Sequence, residues 1–127
     1  MKIKRIDHIV LTVADIPRAL RFYHEVFDMP IISQKQTDGC VRCGHQLIEF
    51  QTPTQPQSLT AAKPTSGSAA ICIVAADPVE NILNHLASYY IPLVAGPLKK
   101  EGGAEGQMTA IYINDYDQNL VEIASYK

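Results

Sequence analysis

At 127 residues the chain is about the size of one domain, long enough to bury roughly two thirds of its unfolded surface. Eleven Lys and Arg against 13 Asp and Glu leave a formal charge of −2, which gives no electrostatic case for nucleic acid or an anionic membrane. An apolar fraction of 46% and a charged fraction of 19% suit a soluble globular protein, and the best apolar run, AAICIVAA, falls far short of the ~20 residues of a membrane span.

The N-terminal MKIKRID is basic, but Asp7 and His8 interrupt the apolar run behind it, which argues against a signal peptide. Three cysteines, an odd number, fit a reducing cytosol better than a disulfide scaffold, so a cytoplasmic protein is expected. Residues 7–15, DHIVLTVAD, read as a strand with one polar intruder, His8. In IPRALRFYHEVFDMP the residues Ile16, Ala19, Leu20, Tyr23 and Phe27 form the stripe of an amphipathic helix. Asp15 is placed to cap it, Pro17 is tolerated in its first turn, and Pro30 closes the segment. Strand-like runs come next at IISQKQ, CVRCG and QLIEFQ, with turns at Asp38-Gly39 and Gly44-His45. Cys40 and Cys43 form a CxxC, which reads as half a zinc site or a redox pair. However, residues three apart on a strand point to opposite faces, and no second CxxC exists, so structural or incidental thiols are expected.

Residues 52–67 are rich in Thr, Ser, Gln and Pro and read as a linker between modules 1–51 and 68–127 of a single domain. The order then restarts. AAICIVAAD is a strand, and PVENILNHLASYY is a helix with Val79, Ile82, Leu83 and Leu86 on one stripe, Asp77 as its cap and Glu80 completing a capping box. IPLVAGP, QMTAIYIN and QNLVEIAS supply three further strand candidates. A shift of 62 positions lays His8 on Ala70, Ile9 on Ile71, Leu11 on Ile73 and Asp15 on Asp77, so the order βαβββ occurs twice.

Strand alternation then sorts the side chains. Ile9, Leu11 and Val13 share the face that packs on the helices, while His8, Val10 and Thr12 share the other. By the same rule Ile48, Phe50, Ile111, Ile113, Val121 and Ile123 pack inward. Leu47, Glu49, Gln51, Met108, Ala110, Tyr112, Leu120, Glu122 and Ala124 face away. One histidine and two carboxylates on a surface the helices do not cover are a donor set for a divalent metal. Each also has an ordinary role: His8 as a hydrogen-bonded strand residue, Glu49 and Glu122 as solvated side chains of half-exposed strands. Tyr112, Gln51 and Met108 are candidates to line the same cleft.

DHIVLTVADIPRALRFYHEVFDMP and INDYDQNLVEIAS together resemble the opening H-I-x-L-x-V-x-D…A-x-x-F-Y and the closing DPDGNxxE of the vicinal oxygen chelate superfamily. That superfamily includes glyoxalase I, bleomycin-resistance proteins, fosfomycin-resistance enzymes and extradiol dioxygenases. The resemblance spans essentially the whole chain. It implies an α+β, glyoxalase-like fold in which two βαβββ modules form an open, cupped, eight-stranded sheet, and it implies a homodimer. Carried over residue by residue, the family's metal ligands fall on His8, Glu49 and Glu122, with Zn, Ni, Mn or Fe as the implied ion. The remaining ligand position holds Ala70, which has no donor atom. His45 lies four strand residues from Glu49, about 13 Å, too far to share its ion. His24 and His85 fall on helices.

The resemblance implies two alternative functions. The first is a small metal-dependent enzyme (lyase, isomerase or dioxygenase type) acting on a small molecule, with Glu122 or Glu49 also moving a proton. The second is a metal-free binding protein of the bleomycin-resistance type, favoured by Ala70. A purely structural interaction module is a third reading, which needs an exposed apolar patch. GPLKKEGGAEGQ, with Lys99 and Lys100, reads as a solvated Gly-rich loop that can also cover the cleft or meet an anionic substrate. DYDQN reads as the turn before the last strand rather than a calcium loop.

Overall fold

The structure, a computed structural model, describes residues 1–35 and 37–127. Gln36, the end of the expected run IISQKQ, lies outside the described residues. The chain forms two compact units, Met1–Ser68 and Ala69–Lys127. Each has the order βαβββ that the repeat predicts and an open four-stranded sheet, so the fold is α+β and matches the glyoxalase-like arrangement the family resemblance implies. Among the described residues no helix is long and apolar enough to cross a membrane.

In the first unit β1 (His8–Thr12) leads into α1 (Ile16–Phe27), followed by β2 (Ile31–Gln34), β3 (Gly39–Cys43) and β4 (Gln46–Gln51). The Asp15 carboxylate caps α1 by accepting from the Arg18 amide at 2.9 Å, satisfying one of the first-turn donors. Asp28, at φ 55°, ends the helix in the left-handed region. The buried stripe includes Ile16, Ala19, Leu20 and Tyr23, with Phe22 and Val26 widening it. Tyr23 packs on Phe50 with ring centroids 5.3 Å apart and planes tilted by 54°, fixing the helix over β4. β1 runs parallel to β4, with His8 opposite Leu47 and Val10 opposite Glu49. This order, β1-β4-β3-β2, puts Leu11, Ile48, Phe50 and Val41 in the core, on the face that alternation assigns to packing.

The second unit comprises β5 (Ala70–Val74), α2 (Val79–Ser88), β6 (Ala95–Gly103), β7 (Gly106–Asn114) and β8 (Leu120–Ser125), in the order β5-β8-β7-β6. Ile111, Ile113, Val121 and Ile123 are buried. The Asp115 carboxylate organises the turn before β8 by accepting from the Asp117 and Asn119 amides, both at 2.9 Å, and from the Asn119 side chain.

Two expectations are corrected by the second unit. Asp77 does not cap α2: Pro78 holds the cap position at φ −69°, without a side-chain bond, and the Asp77 carbonyl instead accepts from Ser125 Oγ at 2.8 Å. The strand expected at IPLVAGP begins only at Ala95 and continues through GPLKKEGG, whose glycines read as a solvated loop. Backbone pairing of Lys99 with Thr109 and of Lys100 with Met108 makes it the edge strand of the sheet. An edge needs no apolar alternation and tolerates lysines. Gly96, at φ +102°, lets it lie so close to β7 that a Cβ would meet the Ala110 carbonyl oxygen at 2.6 Å.

Candidate functional site

In the first unit the parallel register of β1 and β4 sets His8 beside Glu49, with Nε2 3.7 Å from Oε2. The other ring nitrogen donates to Asp7 Oδ2 at 2.8 Å. That bond, reinforced by the Glu49 charge, holds His8 protonated to higher pH than a free imidazole. Glu49 has a second partner, since Gln57 Nε2 donates to its Oε1 at 2.9 Å.

Gln57 belongs to the segment expected to be a linker, and that segment is tied down onto this face. The Gln57 amide donates to Gln51 Oε1 at 2.8 Å, and Gln51 Nε2 donates to Thr60 Oγ1 at 2.9 Å and Thr12 Oγ1 at 3.1 Å. Gln51, expected to line a cleft, is thus buried beneath its own network, with both ends of its amide bonded.

In the second unit Ala70 stands opposite Leu120 in the register by which His8 stands opposite Leu47. Glu122 pairs across strands with Tyr112 on β7 and Cys72 on β5. Its carboxylate, 14% exposed, is matched by Lys100 from the edge strand, whose Nζ donates to Oε2 at 3.0 Å and to the Tyr112 hydroxyl at 2.9 Å. The ammonium also lies 5.6 Å from the centre of the Tyr112 ring. These contacts, the Tyr112 bond first, hold the Lys100 pKa above the usual lysine range, so it stays charged at neutral pH. Burial pushes the Cys72 thiol up, and the Glu122 charge pushes it further. Met108 is buried opposite Lys100.

The donor set can be weighed against the implied metal. His8 and Glu49 offer two ligand atoms from one unit. Ala70 offers none, and Glu122 already neutralises an ammonium that would repel a dication. Among the described residues no group of three His, Cys, Asp or Glu is arranged to hold an ion. A four-ligand centre of the glyoxalase I kind therefore does not fit these side chains. Cys40 and Cys43 are free thiols, and His24 is engaged with the Met29 carbonyl at 2.8 Å.

Lys100 is the residue that reading the sequence missed as a partner of Glu122. The usable signal was period-two spacing: Leu98 and Lys100 share a face of β6, and a half-buried Glu122 next to Tyr112 requires a cation.

The sequence pattern of the glyoxalase/bleomycin resistance protein/dioxygenase superfamily matches residues 5–123. The chain belongs to that superfamily. Virulence protein STM3117 of Salmonella typhimurium is 37% identical over 126 residues, 99% of this chain and 87% of that protein. Its crystal structure superposes with a TM-score of 0.93 over 100% of both chains. The glyoxalase domain-containing protein RDO1 of Mycosarcoma maydis is 30% identical over 100% of this chain and 71% of its own length. An integron cassette protein from V. cholerae, VCH_CASS1, is 33% identical with a TM-score of 0.92, covering 100% of this chain and 98% of that one. Superfamily proteins commonly bind divalent metals and small-molecule substrates.

Proposed function

We propose that this superfamily member binds a small molecule through the polar faces of its sheets without a four-ligand metal centre. The observation that carries the reading is the Lys100–Glu122 contact of 3.0 Å, opposite a strand where Ala70 replaces the donor. A fixed ammonium supplies the positive charge on Glu122 that an ion would otherwise supply. The bleomycin-resistance type of sequestration fits this arrangement, with a homodimer in the cytoplasm as the expected setting.

The second reading is a metal-dependent enzyme of lyase, isomerase or dioxygenase type, with His8, Glu49 and Glu122 as ligands. The 3.7 Å spacing of His8 and Glu49 favours it. In that reading the ion supplies Lewis-acid activation, and Glu49 or Glu122 carries the proton.

Titration of Zn, Ni and Mn into metal-stripped wild type and His8→Ala separates the two. The first reading expects no ion held more tightly than about 100 μM, and no difference between wild type and His8→Ala. Near-stoichiometric binding lost in His8→Ala would overturn it in favour of the enzyme.

A further inference from the structure

The cluster on the second unit has unused donors, and their arrangement selects a ligand. An ammonium has three N–H groups. Lys100 spends one on Glu122 and one on the Tyr112 oxygen, leaving a third. Because Tyr112 accepts from Lys100, its own hydroxyl hydrogen is left to donate to a ligand, and the adjacent ammonium makes it a stronger donor. The two groups that carry these hydrogens are 2.9 Å apart, a spacing that one ligand oxygen or the two oxygens of one carboxylate can bridge. The Lys100 side chain is 39% exposed, so a ligand can reach it, whereas Glu122 lies deeper at 14%.

We propose that Lys100 and Tyr112 form a binding site for a ligand carboxylate, with Glu122 as the internal counter-charge that fixes the ammonium. The proposal rests on the reading that the protein serves a small molecule, and it names that molecule's class. Charge sets the class. Lys100 and Glu122 sum to zero, so one carboxylate adds a single negative charge next to a lysine that stands between it and Glu122. A phosphate dianion would feel the ammonium and the Glu122 carboxylate in the same proportion, but its desolvation cost rises with the square of its charge, and a net-neutral pair does not repay it. A neutral amide accepts the same hydrogen bonds without the charge-assisted gain. Cys72, exposed on the neighbouring strand beside Glu122, gives the ligand body a weakly polar surface.

The test is a nuclear magnetic resonance titration of the full chain at constant ionic strength with sodium propionate, propionamide and inorganic phosphate. Propionate should shift Lys100, Tyr112 and Glu122 resonances with millimolar affinity, at least tenfold tighter than propionamide or phosphate. Lys100→Met alone leaves Glu122 unpaired, so Lys100→Met/Glu122→Gln, which keeps the cluster neutral, is the informative variant. It should abolish the propionate response, and Tyr112→Phe should weaken it severalfold. Equal affinity for propionate and propionamide, or a propionate response that survives the double variant, overturns the carboxylate site while leaving small-molecule binding intact. No response to any of the three probes overturns the site as well. A neutral-fragment screen that also perturbs neither sheet face would remove the underlying reading too.

Discussion

Lys100 Nζ and Glu122 Oε2 lie 3.0 Å apart, where the equivalent carboxylate of the first unit, Glu49, has His8 at 3.7 Å. The two halves of one repeat have therefore settled the same problem, a half-buried glutamate on a sheet face, with different partners. The register says what restores the symmetry. Ala70 opposite Leu120 repeats His8 opposite Leu47, so Ala70→His brings an imidazole to Glu122 as His8 comes to Glu49. With Lys100 in place the added histidine should gain little, because the ammonium repels a dication. Ala70→His/Lys100→Met should bind Ni at least tenfold more tightly than Ala70→His alone by isothermal titration calorimetry. Equal affinity of the two variants would show that Lys100 does not guard Glu122.

Gly96 makes that contact possible. Its φ of +102° and the 2.6 Å that would separate an added Cβ from a backbone oxygen leave no room for a side chain. Backbone atoms cannot yield as a flexible side chain would. Gly96→Ala should therefore cost at least the ~1–3 kcal/mol of ordinary overpacking, and it should lift the edge strand away from β7. Urea unfolding reads the first effect, and faster amide exchange along 98–103 reads the second. A variant of wild-type stability with unchanged exchange would remove the link between Gly96 and the placement of Lys100.

The helices, the repeat and the packed faces were legible because period and burial coincide there: Leu11, Phe50, Ile111 and Val121 all lie on the face that alternation assigns. The edge strand was not, since its pairing is made by backbone groups and the period-two spacing of Leu98 and Lys100 is too short to stand out from the glycines around it. The Asp77 cap failed for a local reason, as Pro78 took the cap position itself. His8 and Glu49 were legible as sharing a face from strand alternation, but their parallel pairing and Gln57 on Glu49 were not. A composition typical of linkers says nothing about where an amide side chain docks.

His8 makes the pH dependence specific. Asp7 raises its pKa by a hydrogen bond, the larger cause, and Glu49 by charge, while the same bond holds Asp7 below its usual range. A raised histidine contributes stability that is complete below its unfolded value of 6.5 and lost as pH rises through the folded one. A lowered aspartate contributes stability present above 3.8 and lost as pH falls through its folded value. The pair therefore acts fully between these two limits. By nuclear magnetic resonance, Asp7→Asn should lower the His8 titration midpoint more than Glu49→Gln does. The reverse order would make Glu49 the dominant partner. Both Asp7 and His8 are solvent-exposed, so added salt should shrink the shift.

Gln51 supports the last prediction, because its buried amide joins β1, β4 and the segment after β4 through three hydrogen bonds. Gln51→Leu keeps most of the volume but strands the Gln57 amide and the Thr12 and Thr60 hydroxyls. Each such loss is in the range of about 1–3 kcal/mol where the group stays buried, and less where water reaches it, as at exposed Thr60. A net destabilisation of about 2 kcal/mol is expected in urea. Amide exchange should quicken at residues 55–60 before it does in β4, because the segment loses its anchor while the ladder to β1 and β3 stays paired. The Glu49 contact should loosen with it, since Gln57 reaches that carboxylate from the same segment. If exchange at 55–60 stays as slow as in wild type, other contacts hold this segment, and Gln51 has no part in covering the His8–Glu49 face.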